Sequence, residues 1–222
     1  MSGRIASVIG STGMIGTYLV EQLLADNYFD TVRTLVRRPV EKKHPKQEVK
    51  LVDFKDAESL KLALHGSHTI FCCIGTTQSN VRGDKDLYRS IDYDIPVNAA
   101  KYGKETGCEN YIIVTAVAAN SKSKQFYIRL NGELEDALAG LNLRSVHIMQ
   151  PAMLLGDRQE HRALESVLMV TMKAISGLFI GSWRKFRAVD GQALARAMIV
   201  ASKQDVPGYF KHEFDSIVEL AK

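Results

Sequence analysis

The chain has 222 residues, 45% hydrophobic and 24% charged, with a formal net charge of +4. A chain of this length buries one large core, so residues 1–222 are expected to form a single domain, and the ordinary composition excludes a disordered or collagen-like polymer. Seven basic residues fall between Arg33 and Lys50, but Pro39, Glu41, Pro45 and Glu48 interrupt them and no aromatic side chain is there to stack a base, which argues against a nucleic-acid partner.

The first apolar run, Ile5-Ala6-Ser7-Val8-Ile9, predicts a strand. Gly10-Ser11-Thr12-Gly13-Met14-Ile15-Gly16 then leads into a helical pattern over 14–25, in which Ile15, Leu19, Leu23 and Leu24 share one face. Glycines between a strand and a helix let backbone approach a phosphate, while the helix start offers unpaired N–H groups and the positive end of its dipole. The G-x-x-G-x-x-G spacing in this setting points to a dinucleotide pyrophosphate held by Gly10, Ser11, Thr12, Gly13, Met14 and Ile15.

A second strand, 31–36, ends in Arg37-Arg38, where enzymes of this layout that use NAD commonly carry an acidic residue. Guanidinium groups there can grip a 2′-phosphate through paired charge-assisted bonds, so NADP is expected in preference to NAD. A third strand, 49–53, closes on Asp53-Phe54, which is expected beside the adenine. After a helix over 56–64, the fourth strand, 69–74, runs into Gly75-Thr76-Thr77. Ile74, Gly75 and Thr76 are expected beside the nicotinamide ribose, because ligands sit off the carboxyl ends of parallel strands. Cys72 and Cys73 alternate across a strand and His65 closes a helix, so these residues with His68 are not expected to hold a metal.

Helical periodicity returns over 87–105 with Pro96 inside it, predicting a kink or a fresh start after Asp94. An exposed helix here is a candidate surface for pairing two copies in a homodimer. Strands over 111–116 and 144–149 flank a helix over 128–139, and His147 on the last strand reads as a packed core histidine. From Pro151 the alternation loosens into a mostly helical extension on the substrate side, with a turn near Gly181–Trp183 and a helix over 191–201. Arg158, His161 and Arg162 lie where a substrate loop would meet an anionic ligand. The apolar stretch 163–183 is interrupted by Glu165 and Lys173 and reads as a core helix, not a membrane span. The alternation as a whole predicts an α/β fold: a Rossmann-type doubly wound parallel sheet with helices on both faces and a small C-terminal substrate-side lobe. Three cysteines with no C-x-x-C spacing suggest free thiols, and no secretory pattern precedes the first strand, so a cytoplasmic location is expected.

The glycine run, Leu35-Val36-Arg37-Arg38, Phe71-Cys72-Cys73-Ile74-Gly75-Thr76-Thr77, Phe126-Tyr127 with Gly132-Glu133-Leu134-Glu135, and Leu154-Leu155-Gly156-Asp157-Arg158-Gln159-Glu160 together resemble the atypical short-chain dehydrogenases of the Tat-interacting oxidoreductase-like group. The resemblance runs nearly end to end. It implies a Rossmann fold that binds NADP(H), with some members acting as reductases and others as regulators. It also implies a catalytic Ser or Thr followed by Tyr-x-x-x-Lys, in which the lysine lowers the tyrosine pKa from about 10. Tyr127 then becomes the proton donor and Thr115, in Val114-Thr115-Ala116-Val117, the hydroxyl partner on the oxyanion side. Four residues after Tyr127 stands Asn131, an amide that can hydrogen-bond a ribose but carries no charge. Lys122 and Lys124 are near in sequence and are the candidates to substitute for the lysine. The expectation is an NADP(H)-dependent oxidoreductase acting on a small carbonyl compound. The alternative is a dinucleotide-binding regulator or sensor with a degraded catalytic site. A nucleoside-diphosphate-sugar epimerase ranks last, since such enzymes usually carry a larger carboxyl-terminal substrate domain.

Overall fold

Seven parallel strands form the centre of the molecule in the computed structural model, which describes residues 3–42, 44–156, 180–204 and 206–222. In chain order the elements are β1 (Ile5–Ile9), α1 (Met14–Ala25), β2 (Thr31–Val36), β3 (Gln47–Leu51), α2 (Ala57–Leu64), β4 (Thr69–Cys72), α3 (Lys85–Arg89), a π turn (Ser90–Asp94) and α4 (Ile95–Glu105). There follow β5 (Asn110–Val114), α5 (Phe126–Gly140), β6 (Ser145–Met149), β7 (Met153–Leu155), a 3-10 segment (Gly181–Phe186), β8 (Ala188–Asp190), α6 (Gly191–Ser202), β9 (Gly208–His212) and α7 (Phe214–Leu220). The sheet order is β3-β2-β1-β4-β5-β6-β9, and β7 pairs with β8 in a separate two-stranded ribbon.

The strands are apolar on both sides because helices cover both faces. Alternate residues separate the two cores. Val8, Phe71 and Ile112 pack with Leu19 and Leu23 of α1, Leu194 of α6 and Ile217 of α7. Ile9, Cys72 and Ile113 pack with Leu60 of α2, Ala99 of α4 and Leu134 of α5. Cys72 and Cys73 accordingly face opposite cores. Each fully buried Leu, Ile or Phe contributes roughly 1.5–3 kcal/mol of transfer free energy, so this double core dominates the stability.

Pro96 breaks the third helical region as its chemistry requires. It has no N–H and its ring crowds the preceding turn, and the chain responds by widening into the π turn and restarting as α4 with Pro96 in the first turn. Further along the chain, Asp190 is the N-cap of α6, its carboxylate accepting from Gln192 N at 2.9 Å and Ala193 N at 3.0 Å. The strand β9 was not visible in the sequence. It is a five-residue edge strand with only its last residue, His212, buried, and it adds to β6 with Phe210 opposite His147. The turn expected near Gly181–Trp183 is the 3-10 segment. The expectations for Arg158, His161, Arg162 and the rest of the 163–183 helix fall outside the described residues. Among the described residues no helix is long and apolar enough to cross a membrane.

Candidate functional site

The glycine turn lies at the carboxyl end of β1, against the loop that follows β4. Gly10 has φ +82°, and a Cβ there would sit 2.7 Å from Ile74 N, so both the backbone conformation and the close approach require glycine. Gly10 and Ser11 make the turn, and Gly13 N donates to Gly10 O at 3.0 Å to close it. Gly13 is the N-cap of α1 and no side chain caps the helix start. A Cβ on Gly13 would meet nothing nearer than Gly10 O at 3.4 Å. The first turn of α1 thus presents unpaired N–H groups across an open approach, which suits a pyrophosphate. Thr12, Gly13, Met14 and Ile15 line a cavity of about 690 Å³ beside it.

A second cavity of about 730 Å³ opens on the β2–β3 side, lined by Arg37, Asp53, Phe54 and residues of the π turn. Arg37 and Arg38 are exposed, and neither has an ion-pair partner among the described residues. Asp53 is drawn into an Asx turn, its carboxylate accepting from Lys55 N at 2.9 Å while its own N–H donates to Ser59 Oγ at 3.1 Å. Phe54 is buried in the core beneath the cavity. The π turn divides the two spaces: Ile91, Asp94 and Ile95 face the second cavity, Asp92 and Pro96 the first.

Ile74, Gly75, Thr76, Thr115, Tyr127 and Asn131 all line the first cavity, so the structure brings together the residues singled out from the nicotinamide and catalytic motifs. Tyr127 stands at the mouth with 45% of its surface exposed. Burial of its phenol raises its pKa, the nearby Asp92 carboxyl adds to the rise, and the Asn131 amide opposes it. Asn131 is 8% exposed and its amide turns back along the helix, donating to Tyr127 O at 2.9 Å. Lys122 and Lys124 are exposed and do not line the cavity. Among the described residues no lysine, arginine or histidine lines it.

Two carboxylates that the sequence did not single out shape this end. Glu135, 1% exposed, accepts from Thr115 Oγ1 at 2.7 Å and from Gln150 Nε2 at 2.8 Å, both on Oε1, and Lys211 Nζ lies 2.7 Å from its Oε2. Asp92 accepts from Thr76 N at 2.9 Å, and the Tyr88 hydroxyl, which donates to Thr76 O at 3.2 Å, also reaches the Asp92 carboxyl. Burial pushes Asp92 up to about 7. Pro96 signals a broken helix in the sequence, but which of Asp92 and Asp94 turns inward depends on the π turn.

An uncapped helix start, an open glycine and two cavities at the carboxyl ends of parallel strands fit a bound dinucleotide. Residues 10–154 match the family model described as NAD(P)H-binding. The chain is 35% identical to protein FMP52, mitochondrial, of Debaryomyces hansenii over 87% of this chain and 85% of that protein. It is 27% identical to protein HTATIP2 of Rattus norvegicus over 90% of this chain and 81% of that protein. In fold it is similar to the UDP-N-acetylglucosamine 4-epimerase from Methanobrevibacter ruminantium, with a TM-score of 0.71 at 16% identity over 96% of this chain and 77% of that one. MoeE5, solved with UDP-glucose and NAD, gives a TM-score of 0.69 at 12% identity, covering 99% of this chain and 81% of that chain.

The relatives overturn the expected cytoplasmic location, because FMP52 proteins of three yeasts, Debaryomyces hansenii, Candida glabrata and Candida albicans, are named as mitochondrial. The physical reason for the error is that free cysteines distinguish a reducing from an oxidising environment and say nothing about which reducing compartment holds the chain. By sequence and by fold, this chain belongs to the NAD(P)H-binding family, among the atypical short-chain dehydrogenase-like Rossmann proteins.

Proposed function

We propose that the protein is an NADP(H)-dependent reductase of a small carbonyl compound. The observation that carries this reading is the position of Tyr127 on the wall of a cavity that holds a carboxyl group and, among the described residues, no cation. Without a cation, the phenol stays protonated at neutral pH, and a protonated phenol is a donor suited to reduction. A reduced nicotinamide held there would supply the hydride. The protein's own part is to hold the carbonyl against the cavity wall and to give its oxygen the Tyr127 proton. Thr115 donates its hydrogen to Glu135 and so has none left for the carbonyl oxygen; as an acceptor it can take only the hydroxyl hydrogen of the alcohol product. Arg37 and Arg38, free of ion-pair partners among the described residues, support a 2′-phosphate and hence NADP over NAD.

A second reading, a dinucleotide-binding regulator, is favoured by one observation, the amide of Asn131 where the related enzymes carry a lysine. Hydride transfer from NADPH to a panel of aldehydes and quinones separates the two. The reductase reading expects slow turnover by the native protein and a loss of about 10²-fold or more in Tyr127→Phe, the usual worth of a positioned proton donor. High native activity that Tyr127→Phe leaves intact contradicts the assignment of Tyr127. An inert protein that still binds NADPH favours the regulator.

A further inference from the structure

We propose that Asp92 is the proton reservoir of the site, a carboxylic acid that re-protonates Tyr127 after each reduction and so does part of the work for which related enzymes use a lysine. The proposal rests on the reductase reading above and adds a residue to it.

The geometry comes first. Asp92 sits in the π turn, the one place where the helix before α4 is widened, and local π widening recurs at functional sites. The turn aims its carboxyl into the same cavity that Tyr127 lines. One oxygen, Oδ1, is held by Thr76 N at 2.9 Å. The other, Oδ2, lies 4.0 Å from where a side chain on Gly75 would begin, an ordinary contact distance. A carboxyl on the cavity wall, with one oxygen anchored by backbone and the Tyr88 hydroxyl in reach, is placed to hold and release a proton.

The surroundings set when the proton is present. Among the described residues, the ionisable groups around Asp92 are Tyr88 from its own stretch, Cys72 at the end of β4, Tyr127 from α5, and Cys73 and Tyr18 on the cavity wall. None of these is a cation, and burial keeps the Cys72, Cys73, Tyr88 and Tyr127 groups neutral. Among the described residues nothing in this shell pulls the Asp92 proton away by charge, and it is retained to about neutral pH.

The proton balance closes. The carbonyl carbon would gain its hydride from a reduced nicotinamide, and the carbonyl oxygen takes the Tyr127 O–H proton. The Tyr127 phenolate left behind takes the proton held on Asp92, a downhill transfer because a carboxyl near neutrality is a stronger acid than a phenol. The Asp92 carboxylate then takes a proton from water.

The test has an arm that needs no turnover. Ultraviolet titration of tyrosine ionisation, with Tyr127→Phe identifying the Tyr127 signal, is compared between native protein and Asp92→Asn, and NADPH binding confirms that each variant is folded. The proposal expects the Tyr127 transition to move to lower pH in Asp92→Asn, because a facing carboxylate has gone. It also expects the native reduction rate to fall as pH rises through about 7, an inflection that Asp92→Asn abolishes. Turnover by the native protein with an unmoved Tyr127 transition, or with the same inflection in the variant, overturns the reservoir and leaves the reductase reading standing. A coupled Tyr127 transition with no turnover of any carbonyl overturns the reductase reading and the relay with it. If Asp92→Asn does not fold, carbon-13 observation of the aspartate carboxyls in native protein decides: one aspartate titrating near neutrality supports the proposal, and all titrating in the ordinary range overturns it.

Discussion

Thr115 Oγ1 donates to Glu135 Oε1 at 2.7 Å, tying the end of β5 to the middle of α5 beneath the cavity. The same carboxylate takes the Gln150 amide and faces Lys211 of β9, so one buried acid joins β5, β9 and the segment after β6 to a helix. Replacing it with alanine leaves the Thr115 hydroxyl and Gln150 amide buried without an acceptor, at roughly 1–3 kcal/mol for each group. Lys211 is half-exposed, and its loss of a partner adds little. Glu135→Ala should therefore lower stability by about 2–6 kcal/mol in urea unfolding, and Glu135→Gln, which keeps an acceptor, by about 1 kcal/mol or less. A neutral Glu135→Ala contradicts this account of the junction.

The glycines of the first turn divide into one for binding and one for packing. Gly13 has extended φ and ψ of −80° and 172° and open space around it, so Gly13→Val should fold and lose NADPH affinity by about tenfold or more, because the branched side chain occupies the phosphate approach. A Cβ on Gly16 would lie 2.0 Å from Gly10 O, so Gly16→Ala should instead destabilise the fold. Thermal melts and fluorescence titration with NADPH on both variants check the division. Full affinity in folded Gly13→Val places the pyrophosphate elsewhere.

A cation restored beside Tyr127 should change its acidity. An ammonium within about 4–6 Å lowers a neighbouring acid by about 1–3 units, so Asn131→Lys should bring the Tyr127 ionisation down by that order and speed carbonyl reduction. Absorbance at alkaline pH reads the first effect and NADPH consumption the second. An unmoved Tyr127 transition means that the helix does not carry the new ammonium to the phenol.

Acid should weaken the sheet edge at the histidine pair. His147 Nδ1 lies 2.9 Å from His212 Nε2, both rings are buried, and burial lowers both, His147 to about 4 with His212 adding to the effect. Both folded values lie below the unfolded value of about 6.5, so the folded state binds fewer protons. Stability from this pair is complete above pH 6.5 and is lost as pH falls towards 4, by on the order of 3 kcal/mol for His147 once the pH is below it. Unfolding free energy measured from pH 8 to 4 should show this loss in the native protein and a flatter curve in His147→Asn. Identical curves contradict it.

How much of this was legible depended on how local the cause was. The strands β1 and β2 and the helix α1 match the boundaries read from Ile5–Ile9, Thr31–Val36 and Met14–Ala25, because apolar runs flanked by turn residues fix both their period and their ends. Pro96 announced its break for a chemical reason that acts within one turn. The ribbon of β7 and β8 escaped because three residues carry no period, and β9 because an edge strand with one buried residue has no core face to display. Glu135 was quoted among the motif residues and Asp92 was passed over, since neither reveals in sequence that it turns inward. That depends on the packing of α5 against β5 and β6 and on the width of the π turn.

The most direct measurement of the central claim is calorimetric titration of the native protein with NADPH and with NADH, repeated on Arg37→Ala. A paired guanidinium–phosphate contact is worth roughly 1.5–3 kcal/mol, so NADPH should bind about ten- to a hundredfold more tightly than NADH, with the gap narrowing in the variant. Equal affinities for the two cofactors, or no binding of either, would contradict the account.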